Sequence, residues 1–243
     1  MEQYDLNYEI CGGDLQFLEI SLNPGQGVIA EAGSLMFKSG DIKMEAMLGN
    51  GGKSNIFSKL FGATKRAISG ENMFVTGFIN RNKQSFKKVA FAGPYPGHIV
   101  PISLSDGEII CQSNAFICAS FGTSVDFYIQ KSLTVGFFGG KGFLMQKLKG
   151  DGVAFIHVGG SCKEIYLEED EEIHIETGSV AAYDKHMKVG ITLAGGIKTQ
   201  IFGGEGLFLS TIKGPGRVWI QSMPFNKFVS NITATQIMMR KKK

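Results

Sequence analysis

Hydrophobic and polar residues alternate along much of this chain with the two-residue period of a half-buried strand. Leu15-Gln16-Phe17-Leu18-Glu19-Ile20-Ser21-Leu22, Glu164-Ile165-Tyr166-Leu167 and Glu172-Ile173-His174-Ile175-Glu176 carry the pattern most clearly. Turn clusters stand between such runs: Asn23-Pro24-Gly25, Ser105-Asp106-Gly107 and Lys213-Gly214-Pro215-Gly216. Helical patterning is confined to two short stretches, Ser58 to Ile68 and Asn226 to Met239. The pattern predicts an all-β body with at most one or two short helices.

The runs also repeat. Phe138-Gly139-Gly140-Lys141-Gly142-Phe143-Leu144-Met145 is matched by Phe202-Gly203-Gly204-Glu205-Gly206-Leu207-Phe208-Leu209, an offset of 64 (202 minus 138). The match continues in step, so that Val153-Ala154-Phe155-Ile156 meets Arg217-Val218-Trp219-Ile220. A more worn copy begins at Gly70-Glu71-Asn72-Met73-Phe74-Val75 and closes at Val89-Ala90-Phe91. A second segment also occurs three times, as Val28 to Leu35, Ile109 to Phe116 and Ile173 to Val180. Within it Gly33, Asn114 and Gly178 are equivalent, and because Gly and Asn reach positive φ at low cost, one left-handed turn geometry is expected in all three places. Both Phe155 and Trp219 are expected in the core. Three β units follow, 1–92, 93–160 and 161–243, sharing one body.

Composition agrees. The chain has 243 residues, 43% of them hydrophobic, enough for a sizeable core, and its 33 glycines show no collagen-like period, so they mark turns, bulges and close backbone approaches. Glu2, Asp5 and Glu9 occupy the place of a secretory leader's basic and apolar regions. No apolar run reaches the length of a membrane helix. Cys11, Cys111, Cys118 and Cys162 form no C-x-x-C pair and read as reduced structural thiols, so a cytoplasmic setting is expected.

Charge changes the picture less than its total implies. Of 25 basic residues, Arg240, Lys241, Lys242 and Lys243 form a tail, leaving 21 against 22 acidic residues in the body. A near-neutral body lacks the broad basic surplus of most nucleic-acid binders, so contact with nucleic acid or an anionic membrane is expected only through the tail.

Candidate chemistry is sparse. Glu172, His174 and Glu176 share one face of a strand at a spacing of about 7 Å, which could begin a metal site with His186, or be a plain solvent face beside the acidic turn Glu168-Glu169-Asp170-Glu171. Gly139-Gly140-x-Gly142 and Gly203-Gly204-x-Gly206 lead into strands rather than helices, so they read as turns and not phosphate cradles. Ser34, Ser113 and Ser179 lie in repeated turns with no recurring His to activate them. The cluster Phe137, Phe138, Phe143 and Leu144 reads as core or subunit interface. No cofactor and no catalytic residue is expected.

Gly204 to Leu209 and Gly214-Pro215-Gly216-Arg217-Val218-Trp219-Ile220-Gln221-Ser222-Met223-Pro224-Phe225 resemble the C-terminal signature of the AIM24 family, also described as DUF124. Tyr95-Pro96-Gly97 and Glu31-Ala32-Gly33-Ser34 are similar to further motifs of that family. The resemblance runs from about Tyr4 to Phe228 and implies a bacterial, cytosolic member, since no Arg/Ser-rich transit segment is present. It implies a fold like that of the trp RNA-binding attenuation protein, triplicated about a pseudo-threefold axis, and supplies no catalytic residues. Three readings stand: a non-catalytic scaffold or binding protein, homo-oligomeric or with a protein partner; a ligand or RNA binder by analogy of fold; and a metal-dependent enzyme using Glu172, His174 and Glu176. For the binding readings the equivalent turns offer Glu31, Ser34, Gln112, Asn114, Glu176 and Ser179.

Overall fold

The structure is a computed structural model, and it describes residues 5–49, 74–130, 143–193 and 208–240. The first five strands are β1 (Asn7–Cys11), β2 (Phe17–Leu22), β3 (Gly27–Ala30), β4 (Leu35–Lys38) and β5 (Ile42–Leu48). There follow β6 (Phe74–Asn80), β7 (Lys87–Ala92), β8 (Gly97–Ser103), β9 (Ile109–Gln112) and β10 (Phe116–Ser120). Next come β11 (Ser124–Gln130), β12 (Phe143–Lys149), β13 (Val153–Gly159), β14 (Cys162–Leu167) and β15 (Glu172–Glu176). The last strands are β16 (Val180–Asp184), β17 (Lys188–Leu193), β18 (Phe208–Lys213) and β19 (Gly216–Gln221), and a helix α1 (Phe225–Arg240) closes the series. The body is all-β, as its alternation predicts. The helix expected at Asn226 to Met239 is α1, extended by one residue at each end. The helix expected at Ser58 to Ile68, the Gly-rich stretches 138–142 and 202–207, and Lys241, Lys242 and Lys243 lie outside the described residues.

Two sheets have six strands, in the orders β5-β6-β3-β10-β13-β8 and β11-β12-β9-β16-β19-β14. Adding six to each strand number of the first gives the second. Applied once more, the same step calls for β17-β18-β15 followed by the strands of the first copy, β4-β7-β2. Those two groups are present as separate sheets, β15-β18-β17 and β1-β2-β7-β4. The pairing irregularity recurs as well: one residue is skipped between Phe116 and Cys118, between Val180 and Ala182, and between Leu35 and Phe37. Each six-stranded sheet therefore takes three strands from one of the stretches 1–92, 93–160 and 161–243 and three from the next.

Three apolar clusters fill the spaces between sheets. One centres on Leu18, Ile20, Phe78 and Phe91, one on Ile109, Phe116, Leu148 and Ile156, and one on Leu167, Tyr183, Ile212 and Val218. The central strands β9 and β10 are buried along their whole length, with β3 and β16, because sheets or turns cover both faces. This is why their sequences run apolar without alternation. Trp219 and Phe155 are 2% and 0% exposed, as expected of core positions.

One expectation fails. Gly33, Asn114 and Gly178 do not adopt the left-handed conformation; the positive φ values fall elsewhere, at Gly12, Gly25, Gly107, Gly122, Gly160, Gly216 and Asp170. Ala32–Ser34 and Thr177–Ser179 are single 3₁₀ turns, whose backbone stays right-handed, and a Cβ at Gly33 would touch nothing. The shared geometry is a tight right-handed turn that Gly or Asn tolerates without being required. Among the described residues no helix is long and apolar enough to cross a membrane.

Candidate functional site

Two of the repeated turns link a β3-like strand to a strand that joins the neighbouring stretch's sheet, β9 to β10 and β15 to β16, so they lie where stretches meet; the first links β3 to β4, which pairs with β7 of its own stretch. Gln112, at the end of β9, donates through Nε2 to the carbonyls of Gly178 (2.9 Å) and Val180 (2.7 Å) in the next turn. Its Oε1 accepts from Gln221 Nε2 at 3.0 Å, and Gln221 also donates to Gly178 O at 2.9 Å. The Gly159 amide completes this chain by donating to Gln221 Oε1 at 3.0 Å. In the first turn the Glu31 amide donates to Ile117 O (3.0 Å), while Ser34 Oγ donates to Glu31 O (2.7 Å). Burial raises the pKa of the half-buried Glu31 carboxyl above the usual carboxylate range. Glu176 behaves differently: its oxygens accept from its own turn, from Gly178 N at 3.1 Å and Ser179 Oγ at 2.9 Å.

The six turn residues singled out as binders thus meet the chain itself. Ser34, Gln112, Glu176 and Ser179 use polar groups within or between turns, and Asn114 bonds the Tyr95 hydroxyl. Tyr95 packs edge-on against His157 at 4.4 Å between ring centroids, and on Phe225 and Phe228 of α1 at 5.2 and 6.2 Å. His157 is 1% exposed and neither ring nitrogen completes a hydrogen bond. Burial lowers its pKa, against a weaker opposing pull from the Tyr95 backbone. A Cβ at Gly93 would lie 2.1 Å from the His157 ring and one at Gly97 2.7 Å, so both glycines are close-approach positions that make room for it.

The candidate metal face is present on β15, where His174 Nε2 and Glu172 Oε1 are 2.9 Å apart, both half exposed. Glu176, the third member, is turned to its own turn, and His186 sits beside Gly216 in the β16–β17 connection. Among the described residues no three His, Cys, Asp or Glu side chains gather as metal ligands. Cys111 and Cys118 are buried, which pushes their thiols well up, and Cys162 is pushed up to about 11, so all three are protonated at neutral pH. A hollow of about 530 Å³ beside Tyr8, Pro101 and Asp151 and one of about 340 Å³ beside Glu45, Arg81 and Phe121 include none of the turn residues.

Sequence reading missed Gln221 and His157. Gln221 lies inside the Trp219-Ile220-Gln221-Ser222-Met223-Pro224 run, whose density of unusual residues was the available signal. His157 stands in an otherwise apolar strand, a polar residue that pattern alone assigns to either face.

These features define an all-β body of interleaved sheets whose repeated turns bind one another. Residues 8–223 match the family described as Mitochondrial biogenesis AIM24, and the chain belongs to that family. It is similar to the crystal structure of protein SPYM3_0169 from Streptococcus pyogenes, at 25% identity and a TM-score of 0.73 over 95% of this chain and 100% of that one. No curated protein matches it significantly in sequence.

Proposed function

We propose that this chain is a non-catalytic scaffold, a triplicated body that works by binding copies of itself or a protein partner through its sheet edges and repeated turns. The observation that carries this reading is a contrast between equivalent side chains: Gln112 crosses to the neighbouring turn, while the Glu176 carboxylate bonds within its own turn and β15 beside it lies at the edge of its sheet. The near-neutral body, 21 basic against 22 acidic residues without the tail, favours protein contact over polyanion binding. Four unpaired cysteines support a reducing compartment, which we take to be the cytoplasm.

The test is light scattering with absorbance at 260 and 280 nm on the purified full chain, before and after ribonuclease. A scaffold gives a nucleic-acid-free particle whose mass ribonuclease does not change. Co-purifying RNA, with an assembly that ribonuclease dissolves, would overturn the reading in favour of RNA binding.

A further inference from the structure

We propose, resting on the scaffold reading, that a second copy of this chain docks at β4, its β15 adding antiparallel to the unpaired β4 edge. Inside the chain the same kind of junction is made twice. At one, Ala30, Ile29 and Val28 face Cys118, Ala119 and Ser120; at the other, Cys111, Ile110 and Ile109 face Ala182, Tyr183 and Asp184. The equivalent positions at the remaining junction are Ile175, His174 and Ile173 on β15 and Phe37, Lys38 and Ser39 on and after β4. Among the described residues β4 pairs only with β7, and β15 only with β18. One edge of each then has no strand partner among the described residues, and a strand of matching register would satisfy its backbone groups.

Side chains agree with the backbone. Met36 and Phe37 are 55% and 41% exposed, whereas their equivalents Ile117, Cys118, Ala181 and Ala182 are all buried. In the transferred register Lys38 stands opposite His174, with Glu172 and Glu176 diagonal to it on the same face, so the charges are complementary. The occupant is a second copy rather than this chain's own β15 because of position 174. Its equivalents Ile29 and Ile110 are apolar, as suits a junction that never opens, whereas β15 exposes Glu172, His174 and Glu176 to water. Such a charged edge is soluble while unpaired, which fits reversible contact between molecules. Edges of different kinds on one chain join head to tail, giving a ring or a filament.

Glu176 tunes the strength without forbidding the junction, since the closed β3–β10 junction also carries a carboxylate, Glu31, at the equivalent position. At β9–β16 the equivalent Gln112 donates to two carbonyls across the junction, and a carboxylate has no hydrogen to donate. Replacing Glu176 by Gln should tighten association about fivefold, the size expected of one or two hydrogen bonds.

The experiment uses the full chain with Cys11→Ser and Cys162→Ser, adding Phe37→Cys and Ile175→Cys together, oxidised mildly and run without reductant. A ladder of covalently linked copies is the expected result. An intrachain disulfide in a monomer would overturn the proposal by showing that β15 closes on its own β4, and no cross-link in either form would overturn it as well. Sedimentation of the single variants supplies the second reading: Phe37→Lys weakens association at least about fivefold, and Glu176→Gln strengthens it, with unchanged circular dichroism. A strictly monomeric chain would end this inference while leaving the scaffold reading to stand on a different protein partner; ribonuclease-sensitive assembly would end the scaffold reading without changing the cross-link pattern.

Discussion

The junctions β3–β10 and β9–β16 are closed, and their counterpart between β4 and β15 is not. At the closed ones the large ring sits on the outer strand and the small residue on the joining strand: Phe155 opposite Cys118, Trp219 opposite Ala182. At the open one the sizes are exchanged, Ala90 opposite Phe37, and the ring is exposed instead of buried. A repeat can therefore keep its backbone plan while moving bulk from a core position to the surface. What separates the buried rings from the exposed one here is which of two facing strands carries the ring.

The sharpest way to break this comparison is to remove a ring from each side. Trp219→Ala is expected to cost about 3 to 5 kcal/mol, because the buried indole fills a shared core and donates to Glu164 Oε2 at 3.1 Å. Phe37→Ala should change stability by no more than about 0.5 kcal/mol. Urea unfolding of both variants checks the pair, and comparable losses would mean that Phe37 is packed in solution.

The turns come next in size. Gln112→Ala leaves the carbonyls of Gly178 and Val180 and the Gln221 amide without a shared partner, a loss of about 1 to 3 kcal/mol. Gln112→Glu should be nearly as damaging at neutral pH, since it places an acceptor against two acceptors, and should recover as acid protonates it. Hydrogen exchange along β16, measured for both variants, reports whether the junction has opened.

Much of this was legible beforehand. The offset that aligns Phe155 with Trp219 marks both as core, and alternation in Leu15 to Leu22 marks a strand with one wet face. Which strands would pair was not legible, because local period says nothing about whether β9 meets a strand of its own copy or of the next. The open junction did have a signal, His174 where Ile29 and Ile110 stand, but an imidazole between two carboxylates reads equally as a metal face. Nor could the turn glycines be read: Gly33 and Gly178 look like left-handed positions, whereas the glycines that serve close packing are Gly93 and Gly97, whose need arises from a ring distant in sequence.

Acid probes the turn region more gently. His157 binds a proton less readily when folded than when unfolded, so its contribution is fully present above about 6.5, the unfolded value, and is lost as pH falls below it. The loss is at most about 1.4 kcal/mol per pH unit. His98, the other imidazole bearing on it, acts in the same sense by repulsion. Glu31 works oppositely: its pKa is raised on folding, so its contribution is full below the unfolded 4.5 and is lost as pH rises through the folded value. His157→Gln should flatten the melting temperature between pH 7.5 and 5.5, whereas a persistent slope would assign it to another group.

The smallest effect should fall at Glu176, and its smallness is the point. At the closed β9–β16 junction the equivalent Gln112 side chain crosses to the neighbouring turn; here Glu176 caps only its own, through Gly178 N and Ser179 Oγ at an exposed site. Glu176→Ala should therefore shift stability of the isolated chain by no more than about 0.5 kcal/mol, the range of a surface substitution. The measurement is denaturant unfolding at low protein concentration, where association contributes nothing. A loss as large as that of Gln112→Ala would mean that the third junction is already closed within one molecule. The contrast between junctions would then disappear, and with it the reason for β4 to seek a second copy.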